Sequence, residues 1–221
     1  MRALASHRSP LGTLILALAL LSSSESYAVT YVSNLAEANT VNFGISASAH
    51  ASSFTTDGSA YTLNRVTLAI QSNSGSGFAQ VKIRADSSGM PGAELEDLGS
   101  INPSSVGPSL LSLNSSGLAL SPNTTYWITA GETGSESNQW EGTTSTAEVS
   151  LGSWTIGDQD FFSTDGGASW QPTSFGPPNE SSRFSVHATI ASPPLVPALS
   201  PLGIAMLCGL LGLASWRRLR G

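Results

Sequence analysis

A single cysteine, Cys208, occurs in the chain, and it falls in the last apolar stretch rather than in the body. The body therefore has neither a disulfide framework nor a thiolate metal centre, whatever its redox surroundings. Cys208 itself reads as a small apolar residue among apolar neighbours. Charge is scarce too, at 11% of residues. Between Val29 and Ser200 the basic side chains are Arg65, Lys82, Arg84 and Arg183 alone, whereas nearly all the acids fall in that span. So acidic a body repels a phosphate backbone, which argues against nucleic acid as a partner. Also lacking is any body window that holds a 3.6-residue apolar period, so helices have no place there.

What is abundant points the other way. The chain has 22 glycines, and serine and threonine recur through the middle, the profile of a β-rich exported protein with many polar turns. Its 40% apolar content and five tryptophans argue against disorder. The length suits one medium domain with one core.

Short runs rich in β-branched and aromatic residues, separated by Gly, Asn, Ser, Pro and Asp, predict strands at Thr40–Ser46, His50–Thr55, Tyr61–Gln71, Phe78–Ala85, Ser109–Leu113, Thr124–Ala130 and Arg183–Ile190. In Tyr61–Gln71, alternation sets Leu63, Arg65, Thr67 and Ala69 against Asn64, Val66, Leu68 and Ile70, the second set facing the core from Val66 onward. In Phe78–Ala85, Val81 and Ile83 point inward while Lys82 and Arg84 point outward. Residues 72–77 (SNSGSG) form a loop by composition. The turn Asp86–Gly92 places Gly89 and Gly92 where positive φ is expected, with Pro91 at a corner. Together these features predict a two-sheet antiparallel β-sandwich of jelly-roll type over residues 29–190.

The two ends differ from the body. Residues 1–28 read as a secretory signal peptide: Arg2, His7 and Arg8 at the start, the apolar centre Leu11–Leu21, and cleavage after Ala28 in the small-x-small triplet Ser26-Tyr27-Ala28. Residues 191–195 form a Pro-rich extended linker. An apolar segment at about 202–216 then precedes Trp216-Arg-Arg-Leu-Arg220 and predicts a short transmembrane helix, its arginines on the cytoplasmic side.

Several constellations bear on chemistry. Ser163-Thr-Asp-Gly-Gly-Ala-Ser-Trp170 matches the Asp-box pattern S-x-D-x-G-x-x-W, a folded hairpin turn in which the carboxylate binds backbone amides and the aromatic packs beneath. Asp158, Asp160 and Asp165 offer hard oxygen donors on adjacent loops, a candidate set for structural calcium. Trp127 and Trp140, with other aromatics, are candidates for stacking on an extracellular polysaccharide, the competing use being core packing. Paired-carboxylate hydrolysis finds its acids in turns. A serine triad would have to recruit His50 or His187 without a G-x-S-x-G elbow. A non-enzymatic protein is the expectation.

The segments SSFTT (52–56), AYTLNRVTLAI (60–70), VKIRADSSGMPGAEL (81–95), GLALSPNTTYWITA (117–130) and NQWEGT (138–143), in that order, resemble the choice-of-anchor R domain over roughly residues 37–190. That resemblance implies a bacterial exported domain with no assigned catalytic residues. Val196-Pro-Ala-Leu-Ser-Pro-Leu-Gly203 resembles the IPTL-CTERM sorting signal, a relative of PEP-CTERM, whose usual form is I-P-T-L-S-E-W-G. Pro197, Leu199, Ser200 and Gly203 match, Val196 and Ala198 are mild replacements, and Pro201 and Leu202 depart from it. The resemblance implies handling by an exosortase-type membrane protease, followed by display on the cell envelope or release. Whether the tail is processed or kept as an anchor stays open, as does a rival reading of the body as a carbohydrate-binding module.

Overall fold

A computed structural model describes residues 28–45, 48–72, 78–102, 106–132, 138–173 and 180–191. Every regular element among them is a strand. In chain order these are β1 (Val29–Ser33), β2 (Val41–Gly44), β3 (Ala49–Thr55), β4 (Tyr61–Ser72), β5 (Ala79–Asp86), β6 (Pro91–Ile101), β7 (Gly107–Asn114) and β8 (Ala119–Leu120). They continue with β9 (Thr125–Glu132), β10 (Asn138–Thr143), β11 (Val149–Ser150), β12 (Thr155–Ile156), β13 (Phe161–Ser163), β14 (Gln171–Pro172), β15 (Ser181–Ser182) and β16 (Phe184–Ile190).

The strands form two antiparallel sheets in a curled, sandwich-like arrangement. The first runs β11-β1-β16-β4-β10-β15, with β7 and β8 also on β4 and β2 on β10; the second runs β14-β13-β3-β9-β5-β6, with β12 on β3. Between them lies one apolar core. Val66, Leu68 and Ile70 of β4 and Phe184 and Val186 of β16 meet Phe54 of β3, Val81 and Ile83 of β5 and Ile128 of β9, all of them excluded from solvent. Such burial stabilises by roughly 1.5–3 kcal/mol per large side chain.

β5 alternates as expected: Val81 and Ile83 are buried and Lys82 and Arg84 half-exposed. In β4 the expected core face holds from Val66 onward, but Leu63 joins that face instead of opposing it. The pairing with β16 steps from Arg65–His187 to Leu63–Ala188, leaving Asn64 without an opposite residue. This bulge rephases the strand, so Tyr61 and Leu63 enter the core alongside Val66. The 86–92 turn departs in one particular. Ser88 and Gly89 take positive φ, 57° and 81°, and Gly92 does not. Gly92 answers to space instead, since a Cβ there would lie 2.8 Å from the Ser87 Cβ.

The expectation of a transmembrane helix is corrected for the described residues. Among the described residues none is helical, and no helix is long and apolar enough to cross a membrane. The period-two patterning of these residues buries alternate side chains in a protein core rather than building a continuous apolar cylinder. The segment at about 202–216, the sorting motif Val196–Gly203, the linker from residue 192 onward and residues 1–27 lie outside the described residues. Ala28, the expected cleavage position, is exposed immediately before β1.

Candidate functional site

The solvent face of the second sheet carries the candidate site. Three rows of side chains cross it. Ala49, Gly131 and Gln80 form one, Ala51, Thr129 and Lys82 the next, and Ser53, Trp127 and Arg84 the third, on β3, β9 and β5 in turn. The first row has almost no bulk on two strands; a Cβ on Gly131 would sit 2.9 Å from that of Ala49. Small residues here leave a floor, and the long polar side chains of β5 make a wall beside it.

The opposite wall is the Asp-box hairpin joining β13 to β14. Asp165 Oδ1 accepts hydrogen bonds from the backbone N–H groups of Ala168 (3.0 Å) and Ser169 (2.9 Å) and from the Ser163 hydroxyl (2.7 Å), and the Ser169 hydroxyl donates to Oδ2 at 2.5 Å. The Ser163 oxygen in turn accepts from Gly167 N–H at 2.7 Å. These bonds, those from Ser169 foremost, hold the Asp165 carboxyl well below the usual carboxylate range. Gly166 and Gly167 supply the positive φ, 73° and 88°, that lets the loop fold back over the sheet.

Folding back seats Trp170 on a small apolar cluster of Ala51, Trp127 and Phe161 outside the main core. Trp127 meets Phe161 edge-on at 5.2 Å, and its indole N–H donates to Asp86 Oδ1 at 2.8 Å. The Arg84 guanidinium lies over the Trp170 ring, 5.7 Å from its centroid, and Nη1 donates to the Gly92 carbonyl at 3.0 Å. Between hairpin and β5 a cleft of about 200 Å³ remains, lined by Ser48, Gln80, Lys82, Arg84, Thr129 and Trp170 over the Ala49–Gly131 floor. It is smaller than the ~300–1,000 Å³ clefts that enclose drug-sized ligands, and its size suits one unit of a longer chain.

A Gly167→Ala substitution tests this architecture. The new Cβ would have to keep a φ of +88° while lying 2.9 Å from Arg84 Nη2 and 3.3 Å from Trp170 Cζ2. The hairpin is expected to lift, with a loss of ~1–3 kcal/mol in denaturant titration and a red-shifted tryptophan emission. An unchanged midpoint and spectrum would refute the closed hairpin.

The residues singled out from sequence are dispersed. Asp165 shapes the hairpin. Asp158 is exposed and lines a separate polar pocket of about 140 Å³ with Glu148. Asp160 is completely buried, its Oδ2 accepting from the Ser182 hydroxyl. They do not converge on a calcium site; among the described residues no group of three or more His, Cys, Asp or Glu side chains is placed to hold a metal ion. Trp140 is fully enclosed in the main core, its indole donating to the Arg183 carbonyl at 3.0 Å, and Trp127 is 3% exposed beneath the hairpin. Neither turns a ring face to solvent. His50 is buried between Phe43 and Phe162, with Nδ1 unpartnered, and borders an apolar cavity of about 420 Å³ between the sheets. His187 lies beside Arg65, 3.3 Å from Nη2. Among the described residues neither histidine has a nucleophile–acid pair around it, and none of those residues is a cysteine.

Sequence reasoning took Lys82 and Arg84 only as an outward face and missed Gln80, Thr129 and the Ala49–Gly131 floor. The available signal was three alternating hydrogen-bond donors on β5, but which strand lay beside it, and which loop folded over it, depended on tertiary pairing.

Comparison with known proteins bears on the fold. No protein-family model and no curated protein matches the chain. Among solved structures, the chain is similar to the cysteine protease and lectin-like domains of Cwp84, a surface layer associated protein of Clostridium difficile (TM-score 0.55, 11% identity, 73% of this chain). It is similar also to a single-substitution variant of the clostridial cysteine protease Cwp84 after propeptide cleavage (TM-score 0.52, 11% identity, 73% of this chain). The chain spans 36% and 40% of the length of those two structures. At that identity the likeness is one of fold, and the chain is an all-β protein of two antiparallel sheets.

Proposed function

We propose that this chain is a non-catalytic, exported carbohydrate-binding domain displayed at the cell surface. The observation that carries the reading is the cleft on the second sheet: a small-residue floor, hydrogen-bonding side chains along one wall and an indole along the other. Sugars are bound by this combination of aligned polar groups and aromatic carbon surface. Support comes from the Cwp84 likeness, since the solved chain includes a lectin-like domain and this chain, all-β, matches about a third of its length. The jelly-roll topology, and an address made of residues 1–28 with the Val196–Gly203 motif read by an exosortase-type enzyme, belong to the same proposal; their support is the sequence pattern alone.

The test is a glycan array probed with the full chain and with Gln80→Ala and Trp170→Ala variants. Binding to a restricted set of saccharides is expected, reduced at least tenfold by each substitution. Gln80 sits at the cleft wall outside both apolar clusters, donating to Asp97 and accepting from the Ser100 hydroxyl on β6, so its loss spares the apolar packing and gives up two hydrogen bonds at the sheet edge. Failure of the wild-type chain to bind any saccharide would overturn the proposal.

A further inference from the structure

Resting on that carbohydrate-binding reading, we infer that the cleft selects an acidic sugar, engaging the carboxylate of a uronic-acid unit with Arg84. The chain as a whole is negative, with a formal charge of −6. Yet the described lining of this cleft contains no acid and two cations, Lys82 and Arg84. Two acids of the neighbouring β6 stand behind this wall, Glu94 paired with Lys82 and Asp97 accepting from Gln80, so among the described residues Arg84 is the cation here with no carboxylate bound to it.

Arg84 is the decisive group. Among the described residues the ion pairs are Lys82–Glu94 and Arg183–Glu141, and neither neutralises it. Lys82 is half satisfied at the rim, its Nζ 2.7 Å from Glu94. The Arg84 guanidinium, by contrast, is half-buried between the hairpin and the sheet and spends one N–H on the Gly92 carbonyl. Its Nε is buried without a partner, and so is the indole Nε1 of Trp170 beside it. A charge withdrawn from water without a counter-charge costs free energy that an arriving anion recovers.

The surroundings keep the guanidinium in place for that anion. Trp170 supports one face of its plane, and Gly167, lacking a Cβ, lets the hairpin close to within contact of Nη2. A planar fork held in this way matches a carboxylate with two parallel hydrogen bonds, which a lysine does not reproduce. Gln80 and Thr129, on neighbouring rows, stand where the hydroxyls of the same sugar unit can be read, and the Ala49–Gly131 floor leaves room for its ring. The selectivity belongs to an anionic polysaccharide bound one unit at a time.

The experiment is titration calorimetry of the full chain with oligogalacturonate and, separately, with neutral malto-oligosaccharide, at low and at physiological salt. Oligogalacturonate is expected to bind at least tenfold more tightly than the neutral probe and to weaken as salt rises. Arg84→Gln should abolish that preference and Arg84→Lys restore it only in part. Lys82→Gln, at a half-exposed position, gives a second readout independent of the hairpin, with a several-fold loss for the acidic probe alone. If a neutral saccharide binds as tightly and Arg84→Gln and Lys82→Gln leave the acidic probe's affinity unchanged, the acidic-sugar inference fails while carbohydrate binding stands. If no saccharide binds at all, both fail.

Discussion

An Asp160→Asn variant is expected to lose stability steadily as the pH falls from about 6.5 to 4, whereas a His50→Phe variant gains stability over the same interval and the wild type changes little. The opposition comes from two buried groups near one another in the chain pairing, Phe162 lying opposite His50 and next but one after Asp160. Burial pushes the Asp160 carboxyl up to about 7 from its ordinary 3.8, Glu180 adding to the shift and the hydroxyls of Ser182 and Ser52 offsetting part of it. Burial also pushes the His50 imidazole down to about 4 from 6.5, with the Gly44 backbone opposing. Each group is thus neutral in the fold near pH 5.5.

The signs follow from proton linkage. The folded chain holds the Asp160 proton more tightly than the unfolded chain, so that contribution is complete below about pH 4 and is lost as pH rises toward 7. For His50 the unfolded chain binds the proton more tightly, so its contribution is complete above about 6.5 and is lost as pH falls toward 4. At 1.36 kcal/mol per pKa unit the limits are ~4 kcal/mol for Asp160 and ~3 kcal/mol for His50, close enough to cancel across their shared range. Glu148, raised by burial, acts in the sense of Asp160, and His187, lowered by burial and then by Arg65, acts with His50. Any cost of seating an asparagine amide at the unpartnered Oδ1 position is common to every pH and leaves the slope untouched. Denaturant midpoints collected from pH 4 to 8 on the three proteins measure the slopes, and parallel curves would contradict the assignment.

The sequence made the layering legible wherever alternation was uninterrupted. Val81 and Ile83 against Lys82 and Arg84 read correctly because β5 runs without a bulge through those four residues on its β9 side. It failed at Leu63, because the bulge at Asn64 is a property of the pairing with β16 and leaves no mark in a period-two pattern. β1 and β10 were not anticipated as strands; β10 is held between β4 and β2 by pairing partners distant in sequence. The Asp-box turn was readable because its chemistry is local, every bond closing within a few residues. Its role as a cleft wall was not, since that depends on β13 pairing with β3 and so bringing residues 163–170 over β9 and β5. The same limit separates the four tryptophans of the body: composition offered them alike, and only the tertiary fold sorts Trp140 and Trp154 into the main core, Trp127 beneath the hairpin and Trp170 onto the cleft.

Trp154 gives that sorting its severest test. It belongs to no strand, standing between β11 and β12, yet it is completely excluded from solvent. Its ring lies parallel to Phe54 of the second sheet at 5.7 Å, and it meets Tyr31 at 5.0 Å and Tyr61 edge-on at 4.9 Å, both from the first sheet. A loop residue therefore bridges the two sheets at one end of the core. Rigid strands on either side leave little scope for collapse, so Trp154→Ala should leave most of the indole volume as a cavity and cost ~3–5 kcal/mol. For a domain of this size that is a fall of roughly 6–20 °C in Tm. Trp154→Phe, which keeps the stack on Phe54 and loses only part of the volume, should recover more than half of the loss. An exposed aromatic platform would behave oppositely, with Trp154→Ala leaving Tm within a degree or two and saccharide binding abolished. A large fall in Tm, partly restored by phenylalanine, places the residue in the structural core and leaves ligand contact to the Trp170 cleft.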